Sequence, residues 1–270
     1  MEVNNMAQEE ITPNLMKGYL EKLASEGKRI DGRSFDEFRE IKVESGIIGT
    51  ADGSAMATFG KTKVICGVKC IIGTPYPDSP DRGAMMTSVE LAPLAYLGFE
   101  AGPPRENNVE LARVVDRGIR ESGMIDFEEM CIEKGEKIWM VCIDLHIIDH
   151  GGNLFDCCTA AAVAALHQTI IPNVQYDIGD KPKDEKMSIS LKPITCTFAK
   201  IGDAVVLDPN LDEEKVMSAR LTVSHDENGV MRAMQKGKNG AFTVTEVKEA
   251  VIKAREKDNI IRKAVEESLK

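Results

Sequence analysis

Arg113, Arg117 and Arg120 recur at i, i+4 and i+7 within residues 109–122, a spacing that places them along one face of a helix. Such a row can bind an anionic backbone, because each planar guanidinium holds a phosphate through two donors. It can equally be a solvated face paired with Glu110, Asp116 and Glu121, and spacing alone favours that simpler reading. Asp144, His146, Asp149 and His150 resemble a ligand set at first sight. On a strand, Asp144, His146 and His150 share a face and Asp149 lies opposite. No cysteine pair or further histidine stands nearby, so polar residues at a strand end are expected and not a metal site. Cys66-x3-Cys70 and Cys157-Cys158 lie in apolar surroundings, as do Cys142 and Cys196. Seven cysteines is an odd count, and buried, reduced thiols fit better than a disulfide framework or a redox pair. Asp208, Asp212, Glu213 and Glu214 form an acidic cluster that could hold a cation; a solvated loop is the expectation.

The elements that must position these residues follow from periodicity. Leu15, Tyr19, Leu20 and Leu23 have helical spacing within residues 12–27, behind a Thr-Pro start. Short β-branched runs over 38–49, 54–60 and 63–72 are split by Gly and Asp turns and predict an antiparallel meander. A further strand is expected at 84–92. The helix at 109–122 should be capped by Asn107 or Asn108 and stopped by Gly123. A long strand over 137–150 precedes an alanine-rich buried helix over 154–170. After a polar loop at 179–186, strands are expected at 187–190, 194–199, 204–207, 220–225 and 230–235, the last two joined as a hairpin by Asp226-Glu227-Asn228-Gly229. An amphipathic helix over 245–270 closes the chain, with Thr243 and Glu246 supplying Thr-x-x-Glu just upstream. The order predicts an α+β protein of two similar halves without a linker.

Composition narrows the function classes. The 270 residues carry a formal charge of −10 and only 5% aromatics. That excludes nucleic-acid binding over the whole surface and an aromatic stacking platform, leaving at most one local basic contact. No window reaches the ~18 apolar residues of a membrane span, and the first ten residues have no signal-peptide pattern. The expectation is a cytoplasmic protein without membrane contact.

Arg29-Ile-Asp-Gly-Arg33, Phe38-Arg39, Ala51-Asp-Gly-Ser-Ala55, Val89-Glu-Leu-Ala-Pro-Leu-Ala95, Glu110 to Arg117, Asp149-His-Gly-Gly-Asn153 and Val206-Leu-Asp208 together resemble the RNase PH-like family. Within it, the resemblance is to the non-catalytic subunits of the archaeal exosome. It covers nearly the whole chain from about Gly27. It implies a duplicated β–α unit of the ribosomal S5 domain-2 type with a long C-terminal helix. The corresponding division is an N-terminal helical extension over 1–27 and an RNase PH-like domain over 28–270, with halves at about 28–150 and 151–270.

Active members of the family degrade RNA from its 3′ end with inorganic phosphate, chemistry that rests on positioning and charge neutralisation. Their phosphate site is a Gly-Gly-Thr-Arg-Ser-like turn opening a helix. Here the turn reads Gly151-Gly152-Asn153-Leu154-Phe155-Asp156, with an apolar side chain in the arginine's place and Asp156 expected to repel phosphate. Counting on from Leu207-Asp208, the catalytic aspartate falls on Arg220. Val68-Lys69-Cys70 is read as replacing a Gly-Pro-Arg-like turn. The resemblance therefore implies a catalytically silent subunit that completes a homologous catalytic partner. It further implies three such heterodimers in a hexameric ring, RNA-binding cap subunits and single-stranded RNA as partners. No cofactor belongs to this chain, and inorganic phosphate, with Mg2+ as a further candidate, belongs to the partner's site. It turns Arg113 and Arg117, with Arg120 behind them, into the expected RNA-backbone contacts. The competing readings are a self-sufficient phosphorolytic exoribonuclease and a scaffold without RNA.

Overall fold

A computed structural model describes residues 16–178 and 183–270. Alternating burial sets the first sheet. β1 (Ile41–Ser45), β2 (Gly53–Phe59) and β3 (Thr62–Gly73) form the expected antiparallel meander. β3 then pairs antiparallel with the long β6 (Lys137–Asp149), beside which the short β5 (Cys131–Glu133) lies. β4 (Ala84–Glu90) runs parallel to β6, and a parallel neighbour needs a crossover. That crossover is helix α2 (Glu106–Ser122).

Helix α3 (Leu154–Gln168) is buried from Leu154 through Leu166. Its alanines let it lie close on β2 and β3. Gly53 marks the closest approach, since a Cβ there would collide with Thr169 Oγ1. β7 (Ile170–Ile171) and β8 (Glu185–Lys186) form a small ribbon. The second sheet has the order β10-β9-β11-β12, from β9 (Ile194–Ile201), β10 (Ala204–Leu207), β11 (Ala219–His225) and β12 (Met231–Gly237). Helix α4 (Leu211–Val216) links β10 to β11, and α5 (Val244–Ser268) packs on β1, β9 and β11. Thr243 accepts from Glu246 N and Glu246 from Thr243 N, the reciprocal cap anticipated upstream of the helix. The arrangement is an α+β fold of two β–α units with a long C-terminal helix.

Several boundaries differ from the sequence expectation. The N-terminal helix, α1, is described over 16–25; Leu15 and positions 179–182 of the expected polar loop lie outside the described residues. Tyr19 is 56% exposed and does not join Leu20 and Ala24, which pack on Ala199, Ile201 and Val216. α2 begins before the expected caps, with Arg105 N donating to Asn108 Oδ1 at 3.4 Å. Residues 187–190 are not a strand, because Ile189 makes only an isolated bridge to Ile125. Val68-Lys69-Cys70 occupy the middle of β3, opposite Ile143, Cys142 and Val141, so they do not stand in a turn. Asp52 accepts from Lys69 Nζ at 3.0 Å and from Cys70 N at 2.7 Å.

Candidate nucleic-acid interface

Helix α2 buries Leu111, Val115, Gly118, Ile119 and Ser122 against β4 and α3 and reaches β12. Its exposed face carries Arg113, Arg117 and Arg120. Between α2 and the second sheet runs a groove of about 1270 Å³, with the arginines on one wall and Thr222, Ser224, Met234 and Gln235 on the other. Gly118 faces β11 across the groove floor, where an added Cβ would stand in ordinary contact with Ser224 Oγ at 3.5 Å.

Two of the three acids that a solvated face would use are already taken, while Glu121, one turn after Arg117, is exposed and bonded to neither arginine. Glu110 Oε1 accepts from Arg220 Nη2 at 2.5 Å. Asp116 accepts from Arg120 Nε at 2.9 Å and Nη2 at 3.0 Å, and from Thr87 Oγ1 at 3.2 Å. Arg120 also donates to Met85 O at 3.0 Å and lies over the Phe127 ring, so its guanidinium is held down against β4. Arg113 and Arg117 make no hydrogen bond or ion pair among the described residues. Two unpaired guanidinium groups one helical turn apart form a cationic rail with room for a phosphodiester chain beside it.

A second cavity of about 370 Å³ opens at the start of α3, lined by Phe99, His150, Leu154, Phe155, Glu214 and Arg220 among others. Glu110 and Asn107 border both cavities, and the Glu110–Arg220 ion pair lies between them. Arg220 is 6% exposed and its guanidinium sits 3.9 Å from the Phe155 ring centre. His150 stacks on Phe99 at 5.2 Å, and burial, with Arg39 and Lys215 nearby, pushes it down to about 4. It is neutral at pH 7. Asp144 accepts from Ser88 Oγ at 2.5 Å and His146 Nδ1 lies 3.0 Å from Glu90, so these side chains do not converge with His150. Among the described residues, no group of three or more His, Cys, Asp or Glu is arranged to hold a metal ion. All seven cysteines are free.

Asp156 does not face the cavity. It is 1% exposed and accepts from Asn153 Nδ2 at 2.8 Å, Thr197 N at 2.9 Å and Thr197 Oγ1 at 2.7 Å. Burial pushes its carboxyl up to about 7 against those bonds. It acts as a tie between α3 and β9, and the expectation that it repels phosphate is replaced by this inward role.

The acidic cluster is also not a solvated loop. Asp208 is fully buried in left-handed backbone (φ 51°). It accepts from Arg33 Nη1 at 2.9 Å, Arg39 Nε at 2.9 Å, Arg39 Nη2 at 2.8 Å and Asn153 Nδ2 at 2.7 Å. Burial opposes its ionisation, but the Arg39 bonds hold its carboxyl below the usual range. Glu213 takes a two-pronged bond from Arg29 at 2.8 and 2.6 Å. Glu214 Oε1 accepts from Asn153 N at 2.9 Å. Only Asp212, on the outer side of α4, keeps a loose surface pairing, at 3.9 Å to Lys215. The signal for this cluster was three arginines within residues 29–39, whose partners periodicity could not identify.

Comparison with known proteins bears on the whole chain. Residues 37–172 match the 3′ exoribonuclease family, domain 1, and residues 193–257 match domain 2. The chain is 46% identical over 258 residues to the exosome complex component Rrp42 of Methanocella arvoryzae, covering 96% of this chain and 98% of that protein. It is 48% identical over 269 residues to the exosome complex component Rrp42 of Thermococcus gammatolerans, covering 98% of each. It is also similar to a chain of the Archaeoglobus fulgidus exosome with RNA bound to the active site, at 39% identity and a TM-score of 0.90, covering 94% of this chain and 98% of that one.

Proposed function

The chain belongs to the RNase PH-like 3′ exoribonuclease family, and from that premise we propose that it is the catalytically silent, RNA-binding subunit of an exosome ring that degrades RNA from its 3′ end. Its relatives carry the name of exosome complex component. The observation that carries the silent reading is Arg220. Where the family resemblance calls for the acid that assists the leaving oxygen, a guanidinium is stacked on Phe155 and paired with Glu110. A cation there cannot protonate a departing oxygen at neutral pH, and Leu154 offers no bond to an attacking phosphate. The fixed charges of the ring's chemistry must therefore come from a homologous catalytic subunit, at whose site inorganic phosphate, and Mg2+ if a metal takes part, would act.

In this proposal Arg113 and Arg117 hold the backbone of single-stranded RNA along the groove beside α2, and Arg120 buttresses the helix. Three heterodimers close into a hexameric ring that carries RNA-binding cap subunits, and the assembly works in the cytoplasm without membrane contact. Among the described residues no helix is long and apolar enough to cross a membrane. The 1–27 extension and the two halves of 28–270 are the proposed division of the chain. The test is direct. The purified chain, given single-stranded RNA and phosphate, should release no nucleoside diphosphate, whereas the same chain assembled with its catalytic partner should; release by the chain alone would restore the self-sufficient exoribonuclease.

A further inference from the structure

Arg220 belongs to β11 but its guanidinium is spent on α2. It is sandwiched between the Phe155 ring and Gly237 of β12, where an added Cβ would collide with Nη2. Its Nη2 donates to Glu110 Oε1 at 2.5 Å. Glu110 stands three residues before Arg113, a helix spacing at which acid and arginine pair when nothing else claims the acid. It is 37% exposed along its side chain, so Arg113 could reach it. Asp116, three residues after Arg113, is claimed in the same way by Arg120. Arg113 is left with an acid on each side and a bond to neither.

We infer that Arg220 is a positioning residue for RNA binding: by drawing Glu110 onto the second sheet it keeps the Arg113 guanidinium unpaired and turned to the groove. The inference rests on the RNA-binding reading of α2 and adds a cause for it. An arginine already paired with Glu110 would present a neutral unit to a phosphate, which would then have to displace the carboxylate. An arginine freed by Arg220 presents its full charge. The same residue thus removes acid chemistry from one cavity and prepares the wall of the next. Glu106 also borders the groove, but it lies seven residues from Arg113, two turns away and beyond a direct helix pairing.

The experiment measures binding of a labelled single-stranded oligoadenylate, without phosphate, to the complex of this chain with its catalytic partner across a salt titration. Arg220→Ala should weaken binding several-fold, and the slope of log K against log salt should shrink by about 0.7, the share of one phosphate contact on a single strand. The loss should therefore be about 2.5 times smaller at 200 mM than at 50 mM salt. Arg220→Ala combined with Glu110→Gln should regain the wild-type slope, because the competitor for Arg113 is then uncharged. Glu110→Ala alone, which leaves the core cation in place, should bind more tightly than wild type, and it keeps the idea testable if Arg220→Ala fails to fold. Wild-type slope in Arg220→Ala, no recovery in the double variant, or weaker binding by Glu110→Ala would each overturn the inference. Arg113→Ala/Arg117→Ala separates the two levels: if it too binds like wild type, the RNA reading of α2 fails and not merely the part given to Arg220.

Discussion

At the scale of single residues, charge pairing decides which of several arginines is available. Arg113 and Arg117 are exposed and unpaired, so replacing both with Ala should leave the fold unchanged and weaken all RNA sequences alike, with the salt slope falling by about 0.7 for each phosphate no longer neutralised. Replacing both with Glu should weaken binding further. A salt titration of the assembled complex checks this, and unchanged slopes would return the pair to a solvated face. The spacing of these arginines was visible in the sequence, but their freedom was not. For Arg113 it depends on Arg220 and Arg120 capturing Glu110 and Asp116, and Arg220 is 110 residues from its partner. Asp156 carries a second prediction. Its folded carboxyl, pushed up to about 7 from 3.8, binds a proton through a window in which the unfolded chain has lost it. Its contribution to stability is thus complete below the lower value and is lost as pH rises through the upper one. Asp156→Asn mimics the protonated form. Its melting temperature, relative to wild type, should be higher at about pH 8 than at about pH 5; thermal melts at both values check the sign, and an equal offset would mean Asp156 is not protonated on folding.

Among the elements, strands and helices with clean periodicity were legible: the meander, β6, the alanine-rich α3 and the capped α5 all stand near their expected positions. The elements that periodicity missed are short or polar. α4 is six residues of LDEEKV, and its pattern is that of a solvated turn until Arg29 is placed against Glu213. This buried pair makes a sharp prediction. Both side chains are at most 2% exposed, so Glu213→Gln leaves an arginine charge in the core with its main counter-ion gone. The cost should be about 3–5 kcal/mol, equivalent to a fall in melting temperature of roughly 10 °C for a chain of this size. The exposed pair Lys134–Asp81, by contrast, should be removable without measurable change. Differential scanning calorimetry of both variants tests the contrast, and a small effect of Glu213→Gln would show that α4 is not pinned by this bond.

For the whole molecule, the family resemblance supplied what pattern reading lacked, because the pairing of two sheets through α3 and α5 involves residues far apart in sequence. The resemblance was less reliable on single positions, where Val68-Lys69-Cys70 proved to be mid-strand and Asp156 to point inward. A chain with formal charge −10 and only two free arginines on its groove should bind RNA weakly alone. Mass photometry of the chain co-expressed with its catalytic partner should show a species of six RNase PH-like subunits; isolated monomers alone would count against the ring. Arg29, Arg33 and Arg39 find their acids 169 to 184 residues later in the chain. Closing so long a loop adds little free-energy cost, about 0.6 kcal/mol per doubling of its length, but distant contacts slow folding by orders of magnitude. During synthesis the first sheet must therefore form while Arg29 and Arg39 lack their main acids, although Arg33 already has Asp31 beside it. The step that fastens the beginning of the chain to its second β–α unit waits until Glu213 has left the ribosome, so the two units mature in succession and lock late.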